Sequence, residues 1–200
     1  MKTVLVHGYA GETRMSVFRP PLDKTAGFYG FGNAVERQEA VAFPWGVDKN
    51  LSFFQAINPF SYLNIYRAEE KLAMSEQTQQ RLYQFLLDEH ATTVIGHSLG
   101  CRLLYETAKQ IGLPSTVTRV IWVQAGIDAD LSLDGVFPEL INFWCSWDPT
   151  LLSSAFFLHI RLRAGLTPIK GATNVFTPLW RLPNLHTSSQ KDSLLLKFVC

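Results

Sequence analysis

Residues 92–100 read Thr-Thr-Val-Ile-Gly-His-Ser-Leu-Gly, and this stretch decides the expected fold. Four strand-favouring residues lead into a serine flanked by Gly96 and Gly100, and the residues that follow carry apolar side chains at the spacing of one helical face. A strand that turns abruptly into a helix around one serine strains the backbone and lifts the hydroxyl above the sheet. The two glycines permit a close backbone approach that a Cβ would block. The pattern therefore predicts Ser98 as a nucleophile at a strand-to-helix corner.

Six apolar runs of strand length recur along the chain, and most are apolar throughout instead of alternating. That pattern is typical of parallel strands covered on both faces, with the intervening helices as covers. One predicted helix spans about 68–89, and another follows Ser98 and stops near Gly112 and Pro114. We therefore expect an α/β fold, a three-layer α/β/α sandwich around a mainly parallel sheet of about six strands. The predicted strands cover residues 3–6, 39–43, 92–95, 118–124, 140–145 and 173–176.

Length, charge and hydropathy limit the class of protein. The 200 residues, 47% of them hydrophobic, are expected to form one domain over residues 1–200. A net charge of +1 provides no clustered basic face, so nucleic acid is not an expected partner. No apolar run reaches the roughly 18 residues of a membrane span, and no secretory signal is evident. We expect a cytoplasmic protein without stable membrane insertion, either a monomer or a homodimer.

The three cysteines do not have the spacing of metal ligands, and their odd number is consistent with reduced thiols. Cys101 is the nearest of them to Ser98, but it belongs to an apolar helical face, where packing is the expected role. No metal and no cofactor are expected.

A serine hydroxyl needs a histidine base to become nucleophilic at neutral pH. Of the five histidines, His186 lies in a turn-rich loop after the last predicted strand, and from there it can reach over the sheet edge to Ser98. His159 lies in an apolar, helix-like segment where packing is the usual role. We therefore expect His186 to be the base.

The base in turn needs a carboxylate that holds it in the correct tautomer. Asp148 closely follows the predicted strand 140–145, and a carboxylate there faces the crevice in which parallel sheets bind ligands. The same residue is also placed to cap a helix that begins at Pro149, and the two roles are compatible. Asp128 and Asp130 are the rival acids.

Two backbone N–H groups are predicted to stabilise the oxyanion of the reaction. The Leu99 amide is one, and the Tyr9 amide, in the glycine-rich turn after the first strand, is the other, with Ala10 as the alternative. Residues 11–37 and 44–66 are predicted to be irregular, and either segment could cover the site. The second carries six aromatic side chains and is the candidate small lid. Packing of these aromatics against the core is an equally good interpretation. The predicted substrate contacts are Tyr9, His97, Phe53 and Phe54.

These features together resemble the α/β-hydrolase superfamily. The matching parts are residues 4–11, the serine corner at 96–100, and then an acid and a histidine in the family's chain order. We expect the sheet to lack the antiparallel strands that open the family's full sheet, and we expect no full cap domain between the predicted strand 118–124 and Asp148. It therefore looks like a minimal, lipase- or esterase-like member. The resemblance implies Ser98 as nucleophile, His186 as general base and then acid, Asp148 as orienting acid, and the amides of Tyr9 and Leu99 as oxyanion hole.

The expected activity is that of a serine carboxylic-ester hydrolase that works through an acyl-enzyme. Its expected substrates are small-molecule esters with short to medium acyl chains, or aryl esters. A lactonase or a thioesterase with the same three residues is an alternative, because lactones and thioesters pass through the same kind of tetrahedral intermediate. A protein of another class, a non-catalytic homologue that binds a lipid or a protein through the aromatic residues 53–66, is the second alternative.

Overall fold

A computed structural model of the chain describes residues 1–8, 14–15, 28–46, 50–51, 59–148, 151–152, 163–177 and 195. Its six main strands are β1 (Lys2–Val6), β2 (Ala40–Ala42), β3 (Ala91–His97), β4 (Arg119–Val123), β5 (Leu140–Trp144) and β6 (Thr173–Phe176). They form one sheet in the order β2-β1-β3-β4-β5-β6, and every neighbouring pair is parallel. The predicted α/β fold with a parallel sheet of six strands is confirmed.

Alternate residues of the strands enter two separate apolar layers. In β1, Val4 and Val6 belong to one buried cluster, whereas Leu5 between them belongs to the other. Since both faces are covered, each strand is apolar throughout, which explains the uninterrupted runs in the sequence. The first layer is formed by α2 (Pro59–Ala73), α3 (Glu76–Asp88) and α4 (Leu99–Gln110), and the second contains Phe28, Phe31, Leu195 and side chains of α1 (Gly32–Glu36).

The helical region before β3 differs from its prediction. The single helix expected over 68–89 is two helices, and the first already begins at Pro59, inside a segment predicted to be irregular. Ser75 separates them with extended backbone angles, and its Oγ accepts a hydrogen bond from the Thr78 N–H at 3.3 Å. A serine that can cap a new helix gives the chain an alternative to continuing the old one. In the part of the chain that the structure describes, no helix combines the length and the apolar character needed to cross a bilayer.

The strand order reverses between β1 and β3, since β2 lies on one side of β1 and all later strands lie on the other. At such a switch point the connections leave the sheet in opposite directions, and a crevice opens beyond the carboxyl ends of the two strands. His7 and Gly8 directly follow β1, and Ser98 directly follows β3. The topology therefore places the serine corner where sheets of this kind bind ligands.

A buried ion pair holds the segment that precedes β6. The guanidinium of Arg163 is fully buried, and its Nη1 donates to Asp128 Oδ1 at 2.6 Å. The backbones of these two residues also form an isolated antiparallel bridge, next to a hydrogen bond from the Ala164 N–H to the Ile127 carbonyl at 2.8 Å. This pairing fixes residues 163–166 against the loop that follows β4.

We expect Asp128→Asn to lower the free energy of unfolding by about 3–5 kcal/mol, because it leaves a buried guanidinium without its carboxylate. Urea denaturation followed by circular dichroism measures this loss. The control is Asp130→Asn, whose side chain is exposed and whose effect should stay within about 0.5 kcal/mol. Equal stability of the two variants would show that the ion pair does not anchor this segment.

Candidate active site

Ser98 occupies the predicted corner between β3 and α4 in a conformation that is rare for a residue with a side chain. Its φ is +50° and its ψ is −117°, and strain of this kind costs of the order of 1–3 kcal/mol. The Ser98 N–H donates to the Val123 carbonyl at 3.0 Å, and the Ser98 carbonyl accepts the Gly126 N–H at 3.0 Å. Both bonds tie the corner to the end of β4, so the surrounding structure maintains the strained geometry.

The glycines on either side of the corner are required by close contacts. A Cβ on Gly96 would lie 2.7 Å from Leu104 Cδ1 and 3.1 Å from the Cys101 nitrogen. A Cβ on Gly100 would overlap the carbonyl oxygens of Val6 and His7 at the end of β1. Because these are backbone atoms of a central strand, they cannot move aside. The expected close approach at both glycines is confirmed.

The turn after β1 lies directly against the serine. A Cβ on Gly8 would be 2.8 Å from Ser98 Cβ and 2.8 Å from His97 Nδ1, so only a glycine allows this contact. Leu99 is the first residue of α4, and an N–H at this position has no acceptor within its own helix. It is therefore available to a hydrogen-bond acceptor outside the helix. Tyr9, the other predicted donor, lies outside the described residues.

Asp148 follows β5 and is fully buried, with a hydrogen bond to each carboxylate oxygen. Oδ2 accepts from Gln124 Nε2 at 2.7 Å, and Oδ1 accepts from the Leu151 N–H at 3.1 Å. The Asp148 carbonyl accepts the Leu152 N–H at 2.9 Å. The expected capping role of this aspartate is therefore present, and each of its two carboxylate oxygens has an N–H donor.

The rival acids have other environments. Asp128 binds the buried guanidinium of Arg163, and Asp130 is exposed. By contrast, Asp148 shares a hydrogen bond with Gln124, which directly follows β4, the strand next to β3. Ser98, Gln124 and Asp148 thus follow the carboxyl ends of three consecutive strands, and sequence reasoning had given Gln124 no role.

Four of the residues predicted for the site, His186, Tyr9, Phe53 and Phe54, lie outside the described residues, as does the alternative base His159. Their roles therefore stay predictions. His97 is described, and its buried ring packs edge-on against Phe28 with the ring centres 6.3 Å apart. The predicted contact of His97 with a substrate is not tested by this packing.

Two aromatic residues of the segment 44–66, Trp45 and Tyr66, pack against the body of the protein. Trp45 is buried, its ring stacks on His7 at a centroid distance of 5.3 Å, and its Nε1 donates to the His7 carbonyl at 3.2 Å. Tyr66 is half-buried, and burial raises its pKa to about 12, so the phenol stays neutral. For these two residues the packing interpretation is the better one.

Cys101 lies three residues after Ser98 and is fully buried in α4. Burial raises the pKa of its thiol well above the usual range, so the thiol stays protonated and unreactive. Within the described ranges, no group of three histidine, cysteine or acidic side chains is arranged to hold a metal ion.

Comparison of the chain with models of protein families, with curated proteins and with solved structures finds no match.

We expect Gly100→Ala to destabilise the protein by at least about 3 kcal/mol, because its methyl group would overlap backbone oxygens of β1. Thermal and urea unfolding measure this loss. Gly32→Ala is the matched control, since a Cβ there meets nothing within 4 Å and the backbone is helical. That control should be neutral or more stable by about 0.5–1 kcal/mol. A Gly100→Ala protein as stable as the control would contradict the close contact between Gly100 and the carbonyl oxygens of Val6 and His7.

The strain at Ser98 is measurable by comparing Ser98→Gly with Ser98→Ala. Both variants lack the hydroxyl, but only glycine adopts a φ of +50° at little cost. We expect relief of backbone strain to make Ser98→Gly the more stable of the two by about 1–3 kcal/mol. The larger conformational entropy of glycine in the unfolded chain reduces this difference. Urea denaturation of the pair gives the difference. A more stable alanine variant would mean that the corner is unstrained.

Proposed function

We propose that this protein is a serine carboxylic-ester hydrolase, a small lipase- or esterase-like relative of the α/β-hydrolases. Ser98 is the nucleophile, His186 the general base and Asp148 the acid that orients it. The observation that carries the proposal is the strained, buried backbone of Ser98 at the switch point of the sheet. Such strain persists only where the structure enforces it, and it concentrates at functional sites.

In the proposed reaction, Ser98 Oγ attacks the ester carbonyl carbon while His186 takes the hydroxyl proton. The oxyanion of the tetrahedral intermediate accepts hydrogen bonds from the N–H groups of Leu99 and Tyr9. The intermediate then breaks the bond to the leaving alcohol, which receives the proton from His186. An acyl group stays attached to Ser98.

Water completes the proposed cycle. His186 removes a proton from the water as it attacks the acyl-enzyme, a second tetrahedral intermediate forms, and its collapse returns the proton to Ser98 and releases the acid. The negative charge of Asp148 stabilises the imidazolium that forms twice in each cycle. The bonds that Asp148 accepts from Gln124 and from the Leu151 N–H hold the carboxylate ready for this role.

The proposed substrates are small esters with short to medium acyl chains, or aryl esters. Lactones and thioesters give the same type of tetrahedral intermediate, so a lactonase or a thioesterase would use the same residues in the same roles. A 4-nitrophenyl ester series of increasing acyl length, assayed beside a simple lactone and an acyl thioester, separates these substrate classes.

We expect Ser98→Ala and His186→Ala to lower kcat by roughly 10⁴- to 10⁶-fold with little change in stability, because each removes a group of the same machinery. Asp148→Asn should lose about 10⁴-fold if this residue orients the base. Asp128→Asn should keep its kcat per folded molecule, since its carboxylate serves the Arg163 pair. Hydrolysis of 4-nitrophenyl butyrate measures all four variants.

Labelling with a fluorophosphonate probe gives an independent check, since the probe modifies an activated serine. We expect the parent to be labelled and Ser98→Ala to be unlabelled. Labelling that persists in Ser98→Ala would assign the reactive group to another residue. A parent that neither reacts with the probe nor hydrolyses any ester, lactone or thioester would favour a non-catalytic, lipid- or protein-binding role.

A further inference from the structure

Gln124 is the first residue after β4, and its backbone ends the strand abruptly. The predicted strand 118–124 included it, but its φ is +49°, which cannot continue a strand, and β4 ends at Val123. The residue is 1% exposed. A buried glutamine with a left-handed backbone is costly, so other contacts must stabilise this conformation.

Backbone contacts from three directions fix the turn at residues 124–126. The Gln124 N–H donates to the Phe143 carbonyl of β5 at 3.0 Å, and the Gly126 N–H donates to the Ser98 carbonyl at 3.0 Å. From a third direction, the Gly165 N–H donates to the Ala125 carbonyl at 3.0 Å, so closely that a Cβ on Gly165 would lie 2.5 Å from the Gln124 carbonyl carbon. The turn therefore has a set position relative to both the serine corner and β5.

The side chain of Gln124 links this turn to Asp148 by a hydrogen bond. Its Nε2 donates to Asp148 Oδ2 at 2.7 Å, which is a short hydrogen bond between two buried side chains. The Leu151 N–H binds the other oxygen at 3.1 Å. Two donors on two different oxygens fix the plane of a carboxylate, whereas one donor leaves it free to rotate about that contact.

We propose that Gln124 is a positioning residue that sets the plane of the Asp148 carboxylate and thereby the orientation of the base that activates Ser98. This inference rests on the proposed function. The contacts form one path, from the Ser98 carbonyl through Gly126 and the turn to the Gln124 amide and then to Asp148. The turn thus sets the spacing between nucleophile and acid. Because Gln124 acts through the acid, it should affect turnover more than substrate binding.

Two substitutions separate this role from a merely structural one. Gln124→Asn suits a positive φ better than glutamine does, because asparagine is enriched there, but it is one methylene too short to reach Asp148. Gln124→Met keeps the length and lacks the donor. We expect both variants to lower kcat for 4-nitrophenyl butyrate by about 10- to 100-fold with KM nearly unchanged, since small misplacements cost rates of this size. The melting temperature of Gln124→Asn should be at or above that of Gln124→Met.

Gln79→Met is the matched control. Gln79 is a fully buried glutamine of α3, and its Nε2 donates to the Ala73 carbonyl at 3.3 Å instead of to a residue of the candidate site. Removing that amide should reduce the melting temperature and leave kcat at the parent value. The control therefore distinguishes the loss of a buried amide from the loss of an amide at the site.

Gln124→Glu adds a readout that a structural role would not change. When the introduced carboxyl group is protonated, its O–H can donate to Asp148 as the amide does, so activity is retained relative to the parent. When the proton is lost at higher pH, two carboxylates face each other and the bond becomes a repulsion. We expect the ratio of kcat/KM between variant and parent to fall by about tenfold or more as the pH rises from about 5 to 8. The nearby Cys145 thiol does not titrate in this range, because burial and then the charge of Asp148 raise its pKa.

The outcomes are separable. Unchanged kcat in Gln124→Asn and Gln124→Met, or a ratio for Gln124→Glu that does not vary with pH, would overturn the positioning role while leaving the hydrolase proposal intact. A similar loss of kcat in Gln79→Met would also overturn it, because any buried amide would then have the same effect. A parent protein without esterase activity or fluorophosphonate labelling would overturn both proposals together.

Discussion

The start of α4 packs directly on the end of β1, because the backbone of Gly100 lies against the carbonyl oxygens of Val6 and His7. This contact leaves no room for a side chain, and it determines how closely the two central strands can present their carboxyl ends. The chain can enter α4 at that distance only through a sharp corner, which is where Ser98 takes its positive φ. Gly8 brings the turn after β1 against the same serine. The geometry of the candidate site is thus a consequence of how closely α4 packs on the end of β1.

The sheet was predictable from the sequence because its signal is local and repeated. Each strand is covered on both faces, as the opposite layers of Val4 and Leu5 illustrate, so each appears as a short apolar run. The helices were less predictable. The break at Ser75 depends on a capping bond to Thr78, and nothing in the apolar spacing of residues 68–89 distinguishes a capped break from a continuous helix. The early start of α2 at Pro59 was also not predicted, because the aromatic residues of its first turns were interpreted as part of an irregular segment.

Only those parts of the candidate site that neighbouring residues in the sequence specify could be predicted. The corner at Ser98 is specified by glycines two positions away, and Asp148 is identified by its place just after a strand. Gln124 has no such mark. Its hydrogen bond to Asp148 joins residues 24 positions apart, and the local residues favour continuing the strand. Tertiary contacts override that preference, and single-sequence reasoning does not detect contacts of this kind.

Two buried residues other than glycine have positive φ in the part of the chain that the structure describes, and they occupy equivalent positions. Ser98 directly follows β3, and Gln124 directly follows the neighbouring β4, whereas Gln38 and His90, which also have positive φ, are exposed. Each of the buried pair donates its N–H to a carbonyl of the next strand, Ser98 to Val123 and Gln124 to Phe143. A strand that ends in this way keeps the following residue at the edge of the sheet. The same backbone turn at the ends of two adjacent strands places Ser98 and Gln124 side by side, and Gln124 in turn contacts Asp148. The backbone strain at Ser98 and Gln124 is the energetic cost of that alignment.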